Sequence, residues 1–258
     1  MFTNRTTLLA AAAALLTASC APATAAGPTG PAPVSAPSSI AADFARAMAN
    51  AAMYSPENVL PLFPVVPDAN GNVQVVTLAT WNPSTGPQPL QRESWVTVVP
   101  EVRDSCNSWE NEEVMMRLRQ LLGLRPDDTK TTFVEMTVPA DSMFRPTVDP
   151  SVTTRWPCPE DQRAGGSCGL AFPAGVDTTH ITWMAKQMLA SWTVPNGYPA
   201  GGAPPGQDGL GYPWTRLGYT YNWHPGSPRY GASEYLVRRG TPIVVTSVST
   251  VAAYCGRG

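Results

Sequence analysis

Residues 217–251 read LGYTYNWHPGSPRYGASEYLVRRGTPIVVTSVSTV and hold three β-rich runs: Leu217 to Trp223, Ser233 to Val237 and Ile243 to Val251. Side chains of the kind that suit a pleated, half-buried surface recur in each, so the three runs are predicted to close the chain as strands. Working back toward the N-terminus, Thr131 to Val138 alternates as a further strand. Val73 to Ala79 and Trp95 to Val99 are β-rich as well. The turn-forming Asn82-Pro83-Ser84-Thr85-Gly86-Pro87 separates them, which predicts a hairpin with a long loop, and Asp68-Ala69-Asn70-Gly71 makes the turn before it.

Helical spacing appears in three places. Ser39 precedes Ile40, Phe44, Ala47, Met48 and Ala51, an i, i+4, i+7, i+8 pattern that stops before Pro56. Asn107 or Ser108 is positioned to cap a second helix, with Glu110, Glu112 and Glu113 in its first turns, Leu118, Leu121 and Leu122 on one face and Gly123 at its end. A third helix is expected from about Thr179 to Trp192, ended by Pro195 and Gly197. The segments 139–175 and 198–213 are rich in Pro and Gly and read as loops. Three helices interleaved irregularly with strands predict an α+β fold with a mainly antiparallel sheet. No internal repeat is visible.

The chain has 258 residues, 43% of them hydrophobic, which is too apolar for disorder and sufficient for one core of ordinary size. Seventeen basic against nineteen acidic residues give a net charge of −2, so there is no long-range attraction to nucleic acid. Lys130 and Lys186 are the only lysines, and neither sits in a Gly-rich phosphate loop; Schiff-base and P-loop chemistry find no support.

Residues 1–20, MFTNRTTLLAAAAALLTASC, place Arg5 before the nine-residue apolar stretch Leu8 to Leu16, followed by small residues and Cys20. That is the layout of a signal peptide, too short to span a membrane. The stretch resembles a bacterial lipoprotein signal, and the resemblance implies that Cys20 receives lipid and becomes the mature N-terminus. It further implies an outer-membrane address, facing periplasm or cell surface, because Ala21 rather than Asp follows the cysteine. The pattern departs from the family at Thr17, where an aliphatic residue is usual; Leu16 stands one step earlier. Cleavage at Ala23-Thr24-Ala25 is the alternative and would release a soluble secreted or periplasmic protein. Residues 21–39, of Pro, Ala, Ser and Gly without charge, read as a tether, leaving 40–258 as a single globular domain.

With Cys20 set aside, Cys106, Cys158, Cys168 and Cys255 form an even set, which in an oxidising compartment implies disulfides. Three pairings are open. The most economical joins Cys158 to Cys168 across PEDQRAGGS and Cys106 to Cys255, the longer closure contributing on the order of 4 kcal/mol by loop entropy.

The strongest candidate for a binding surface is 212–230, YPWTRLGYTYNWHPGSPRY, with six Tyr or Trp in nineteen positions. Period-two alternation puts Leu217, Tyr219, Tyr221 and Trp223 on one strand face. Trp214, Tyr219, Tyr221 and Trp223, with Arg216 and His224 beside them, form a row able to stack on a sugar ring or flat ligand while polar neighbours bond its edges. The competing expectation is an aromatic face packed under a helix as core. His180, in the first turn of the third helix, is expected to be neutral at the positive dipole end. Neither histidine has a second at i+3 or i+4 and no CxxC occurs, so neither a metal nor a cofactor is expected.

Enzyme-like patterns also occur in the chain. Gly165-Gly166-Ser167-Cys168-Gly169 spells G-x-S-x-G, but the Pro-rich flanks do not supply the strand and helix of a nucleophile elbow. A Cys168 nucleophile, as in papain-like or cell-wall peptidases, would be lost in a disulfide. Residues 232–245 resemble the end of bacterial ADP-ribosyltransferases, where a catalytic Glu begins a strand that passes through a Gly-Thr turn into the last strand. The resemblance implies a catalytic role for Glu234. The chain departs from that family at Ala232, where Glu or Gln is usual, in Ser247-Val248-Ser249-Thr250 lying after Glu234, and in the closeness of Arg216. Glu135 or Asp177 paired with Glu234 could supply a glycosidase's two carboxylates, although Asp177 also fits the cap of the third helix and Glu135 the polar side of a strand. The leading expectation is therefore an exported, lipid-anchored envelope protein with a binding or structural role toward a glycan or small ligand. The alternative is an extracytoplasmic hydrolase or transferase, acting on glycan or nucleotide through Glu234 or His224.

Overall fold

The core is organised by Thr132–Pro139, in which Val134, Met136 and Val138 point to one face of a sheet and Phe133 to the other, all of them buried. A computed structural model of the chain describes residues 39–54, 56–109, 113–191 and 211–256. In chain order its elements are α1 (Ile40–Asn50), β1 (Asn72–Ala79), β2 (Gly86–Pro89), β3 (Ser94–Val98), α2 (Glu101–Asn107), α3 (Val114–Leu121), β4 (Thr132–Pro139), β5 (Met143–Phe144), α4 (Glu160–Ala164), α5 (Thr178–Ser191), β6 (Tyr219–Tyr221), β7 (Tyr230–Ser233), β8 (Tyr235–Val237), β9 (Pro242–Thr250) and α6 (Val251–Tyr254). The fold is α+β, as the sequence predicts. Seven strands form one sheet in the order β2-β9-β4-β1-β3-β8-β5, every pairing antiparallel, and β6-β7 form a separate two-stranded ribbon. Cys20, the signal segment and the tether as far as residue 38 lie outside the described residues, as do Glu110, Glu112, Pro195 and Gly197. Among the described residues no helix is long and apolar enough to cross a membrane.

On one face, Val73 and Val75 of β1 meet Val134, Met136 and Val138 of β4 and Ile243 and Val245 of β9. The β4–β9 pairing shifts register between Glu135 and Met136, so that Ser247 and Val245 face consecutive β4 residues and Thr246 is the extra one. This bulge explains why the apolar alternation Ile243, Val245 resumes at Val248 rather than at Ser247. On the opposite face, Val76, Leu78 and Phe133 pack against Val102 and Cys106 of α2, Leu118 of α3 and Val251 and Tyr254 of α6.

The disulfides are Cys106–Cys255, tying α2 to the end of α6, and Cys158–Cys168, which closes a ten-residue separation around α4. Bonds of this kind form in oxidising, exported environments. Cys168 therefore carries no thiolate, and a helix stands before Gly165 where a nucleophile elbow needs a strand.

Two expectations need correction. Asn107 ends a helix instead of capping one: α2 runs Glu101–Asn107, and α3 starts at Val114 after Glu113. Nor do the runs at 73–79 and 95–99 form a hairpin closed by a long loop alone, because the intervening segment supplies β2, which pairs with β9 at the far edge of the sheet. Gly123 does occupy its expected place. It has φ 63°, and the bonds Gly123 N to Gln120 O and Leu124 N to Arg119 O make a Schellman closure of α3. The first and third predicted helices correspond to α1, capped by Ser39, and α5, whose Thr179 N–H is accepted by Asp177.

Candidate functional site

The aromatic segment is held between two helices. From the end of α3, Gln120 O accepts the Trp223 backbone N–H and Leu121 O accepts the Thr220 hydroxyl, and just past it Leu124 O accepts the Trp223 indole N–H. Carbonyls at a helix C-terminus lack partners within the helix, and the ribbon satisfies them. Gly123 permits the approach, since a Cβ there would lie 3.3 Å from the Tyr221 backbone. From the other side, α1 buries Phe44 and Ala47 against Tyr221 and Trp223, with the Phe44 and Trp223 rings edge-on at 5.6 Å.

The chain reaches this ribbon through a tight turn. Thr215 Oγ1 donates to Tyr219 O and accepts the Leu217 N–H, while Arg216 sits at φ 61°, the only described non-glycine residue in the left-handed region, followed by Gly218 at φ 81°. The Arg216 guanidinium crosses beneath the preceding segment, donating to Ala52 O and lying 4.9 Å from the centre of the Tyr54 ring. Burial pushes the Tyr54 hydroxyl up to about 12, against the pull of that guanidinium.

Where the end of α1, the 53–60 segment and the ribbon meet, a cleft of about 330 Å³ opens. Tyr219, Tyr221 and Tyr230 line it, with Asn50, Ser227 and Arg229 among the polar side chains. The Tyr219 hydroxyl donates to Asn58 O, and burial raises its pKa far above the ordinary tyrosine value. Burial also raises Tyr221, opposed by Arg229 and by a bond to Asn50. Tyr230 is 50% exposed, its ring edge-on to Tyr219 at 6.5 Å. The size is that of a small-ligand site.

Of the six residues singled out as ligand-binding, Tyr219 and Tyr221 line this cleft and Trp214, Arg216, Trp223 and His224 do not. The row is not an exposed face. Trp214 and Tyr219 keep 8% of their surface, Tyr221 7% and Trp223 4%, so the rings belong largely to the core, Trp214 and Tyr219 in one cluster and Tyr221 and Trp223 in another. His224 stands one bond from the cleft: its Nδ1 is 3.0 Å from Ser227 Oγ, which also accepts from Arg117. Arg229 and Asn50 carried no signal that would mark them in the sequence, being a turn residue and a helix-terminal residue.

Glu234 lies elsewhere. Its backbone N–H bonds to Gly218 O, its Oε2 accepts the Trp214 indole N–H at 3.2 Å, and burial raises its pKa to about 8 against that single bond. It stands between β7 and β8, but β8 and β9 do not pair with each other, so the Gly240 turn joins distant parts of the sheet. Both proposed second carboxylates are engaged elsewhere: Glu135 is paired with Arg103 of α2, and Asp177 caps α5. Asp177 also lines a second, shallower groove of about 460 Å³ with Asp141, Asp149, Phe144 and Arg238. His180 has a lowered pKa, first through burial among aromatic rings, while its Nε2 contacts Thr147 O. Among the described residues no group of His, Cys, Asp or Glu is arranged to hold a metal ion.

Comparison with models of protein families, with curated proteins and with solved structures finds nothing that matches this chain. Its class is therefore defined by its own architecture: a disulfide-linked α+β protein whose tyrosine-lined cleft opens at the rim of the main sheet's partner ribbon.

Proposed function

We propose that this chain is an exported envelope protein, anchored through lipid on Cys20, which binds a small ligand or glycan unit in the cleft between α1 and the β6-β7 ribbon. The observation that carries this reading is the lining itself: three tyrosines, one of them half exposed, with amide, hydroxyl and guanidinium groups beside them. Such walls suit a hydroxylated ring, whose C–H faces lie on aromatic surfaces while its hydroxyls bond to polar neighbours. Two disulfides and the N-terminal pattern support export.

The test is retention of the full chain on immobilised polysaccharide from its native envelope. Tyr230→Ala should lose retention without loss of stability, because the ring it removes is half exposed, while Glu234→Gln should be retained as well as the parent. An intact mass of the envelope-extracted protein should show a lipid-sized increment on Cys20. A mature N-terminus near Ala26 would instead make it a soluble export.

A second reading, hydrolysis in the same cleft, draws on the Ser227 Oγ to His224 Nδ1 contact. Both residues lie in one turn closed by Ser227 N to His224 O, which brings the side chains together without any further demand. Ser227→Ala and His224→Gln should both abolish release of p-nitrophenol from p-nitrophenyl acetate if the pair is catalytic; equal rates from parent and variants leave binding as the function.

A further inference from the structure

Resting on that reading of the cleft, the charge around it narrows the ligand. Among the described residues Arg229 is the one charged side chain of the lining; it is exposed and forms no ion pair with any of them. Its field reaches the Tyr221 hydroxyl, as does that of Arg46, which is paired with Asp43 on α1. Arg216, only 6% exposed, stands in the chain between the lining residues Thr215 and Leu217. One of its nitrogens bonds to Ala52 O, its Nε has no partner, and no carboxylate pairs with it among the described residues. It also holds a left-handed backbone conformation that is unfavourable for a non-glycine residue and persists only where the surroundings fix it. Arg117 approaches from α3, donating to the lining hydroxyl of Ser227.

The Arg229 guanidinium thus lines a partly enclosed space whose described lining holds no carboxylate, and a second guanidinium, of Arg117, bonds to one of its hydroxyls. With solvent partly excluded, such a field acts more strongly than at an open surface and favours negative charge. We propose that the cleft takes an acidic sugar, a hydroxylated ring bearing one carboxylate or phosphate, with Arg229 holding the acid group and Tyr219, Tyr221 and Tyr230 the ring. The planar fork of Arg229 suits either acid group, and a carboxylate accepts it in a bidentate pair.

The experiment is calorimetric titration of the full chain with D-glucuronate, D-glucose 6-phosphate and D-glucose, at low and at raised salt. At least one acidic sugar should bind about ten-fold more tightly than glucose, and added salt should weaken it. The stronger of the two tells whether the acid is carboxylate or phosphate. Arg229→Gln should cost about ten-fold with the acidic sugar and clearly less with glucose, while Arg229→Lys restores part of the loss. The side chain is exposed, so neither variant threatens the fold. Glucose binding as tightly as the acidic sugars, with Arg229→Gln silent, would overturn the charge assignment and leave the cleft reading standing. If all three sugars fail to bind, the cleft reading falls and the charge assignment falls with it.

Discussion

Glu234→Gln should stabilise this protein, and only above mildly acidic pH. The carboxyl is largely withdrawn from water and accepts a hydrogen bond from Trp214, so burial lifts its pKa from 4.5 to about 8. An unfolded chain releases this proton near the ordinary carboxylate value, whereas the folded chain holds it to about 8. Stability present at low pH is therefore lost as pH rises through that interval, at about 1.4 kcal/mol per pH unit. The full interval would amount to about 5 kcal/mol, but the residue keeps some accessible surface, and solvent response there reduces the expected loss to roughly 2–3 kcal/mol. Gln keeps an acceptor for the Trp214 N–H and cannot ionise. Urea unfolding of parent and variant, read as midpoint and slope at about pH 4, 6, 8 and 9, should give coincident curves at the lowest pH that separate progressively toward the highest. Glu101 is also raised by burial, but it is present in both proteins and cancels in the difference. A gap that stays constant across pH would refute the argument, because it would mean that the folded carboxyl ionises as easily as the unfolded one.

Three further outcomes follow from the packing. Replacing Cys106 and Cys255 together by Ala should cost roughly 4–5 kcal/mol, more than the roughly 3 kcal/mol for Cys158 and Cys168, because the sequence separations are 149 and 10; denaturation midpoints of the two double variants give the order. Arg145→Met should destabilise by about 3 kcal/mol in the same assay, since this fully buried guanidinium donates to the carbonyls of Ser151, Phe63, Val152 and Thr154, all left without that donor. Trp223→Ala should cost about 3–5 kcal/mol of stability by emptying the space between α1 and α3, detected as an early thermal transition with or without ligand.

The long strands were legible in the sequence because each buries one side of an alternating pattern. Val73, Val75, Val134, Met136 and Val138 have no other way to leave water together. Elements that carry little apolar surface gave no such signal. The strand β2 reads Gly86-Pro87-Gln88-Pro89 and is a strand only because β9 offers it an edge, and α2 offers Val102 and Cys106 alone as buried residues in seven. A pattern of two apolar positions among charged neighbours cannot be told from a loop until the sheet beneath it exists. The disulfide framework was readable as the economical pairing of four cysteines, yet its choice among three connectivities is a tertiary property.

The aromatic segment shows where local reading ends. Period two puts Tyr219, Tyr221 and Trp223 on one face, and a continuous strand would have kept them there. The ribbon stops at Tyr221 instead, because the carbonyls of Gln120 in α3 and of Leu124 just past it capture the backbone and the indole N–H of Trp223 and draw that ring into the core. The place it leaves is completed from the other strand, whose register sets Tyr230 opposite Tyr221. That register depends on the turn at 222–229 and on the bulge between Tyr219 and Tyr221, neither of which changes the spacing of aromatics along the chain. The same turn carries Arg229 into the lining. A cleft built from one strand's tyrosines, a neighbouring strand's tyrosine and a turn arginine is thus a consequence of cross-strand register, and only its first two rings could be named from periodicity.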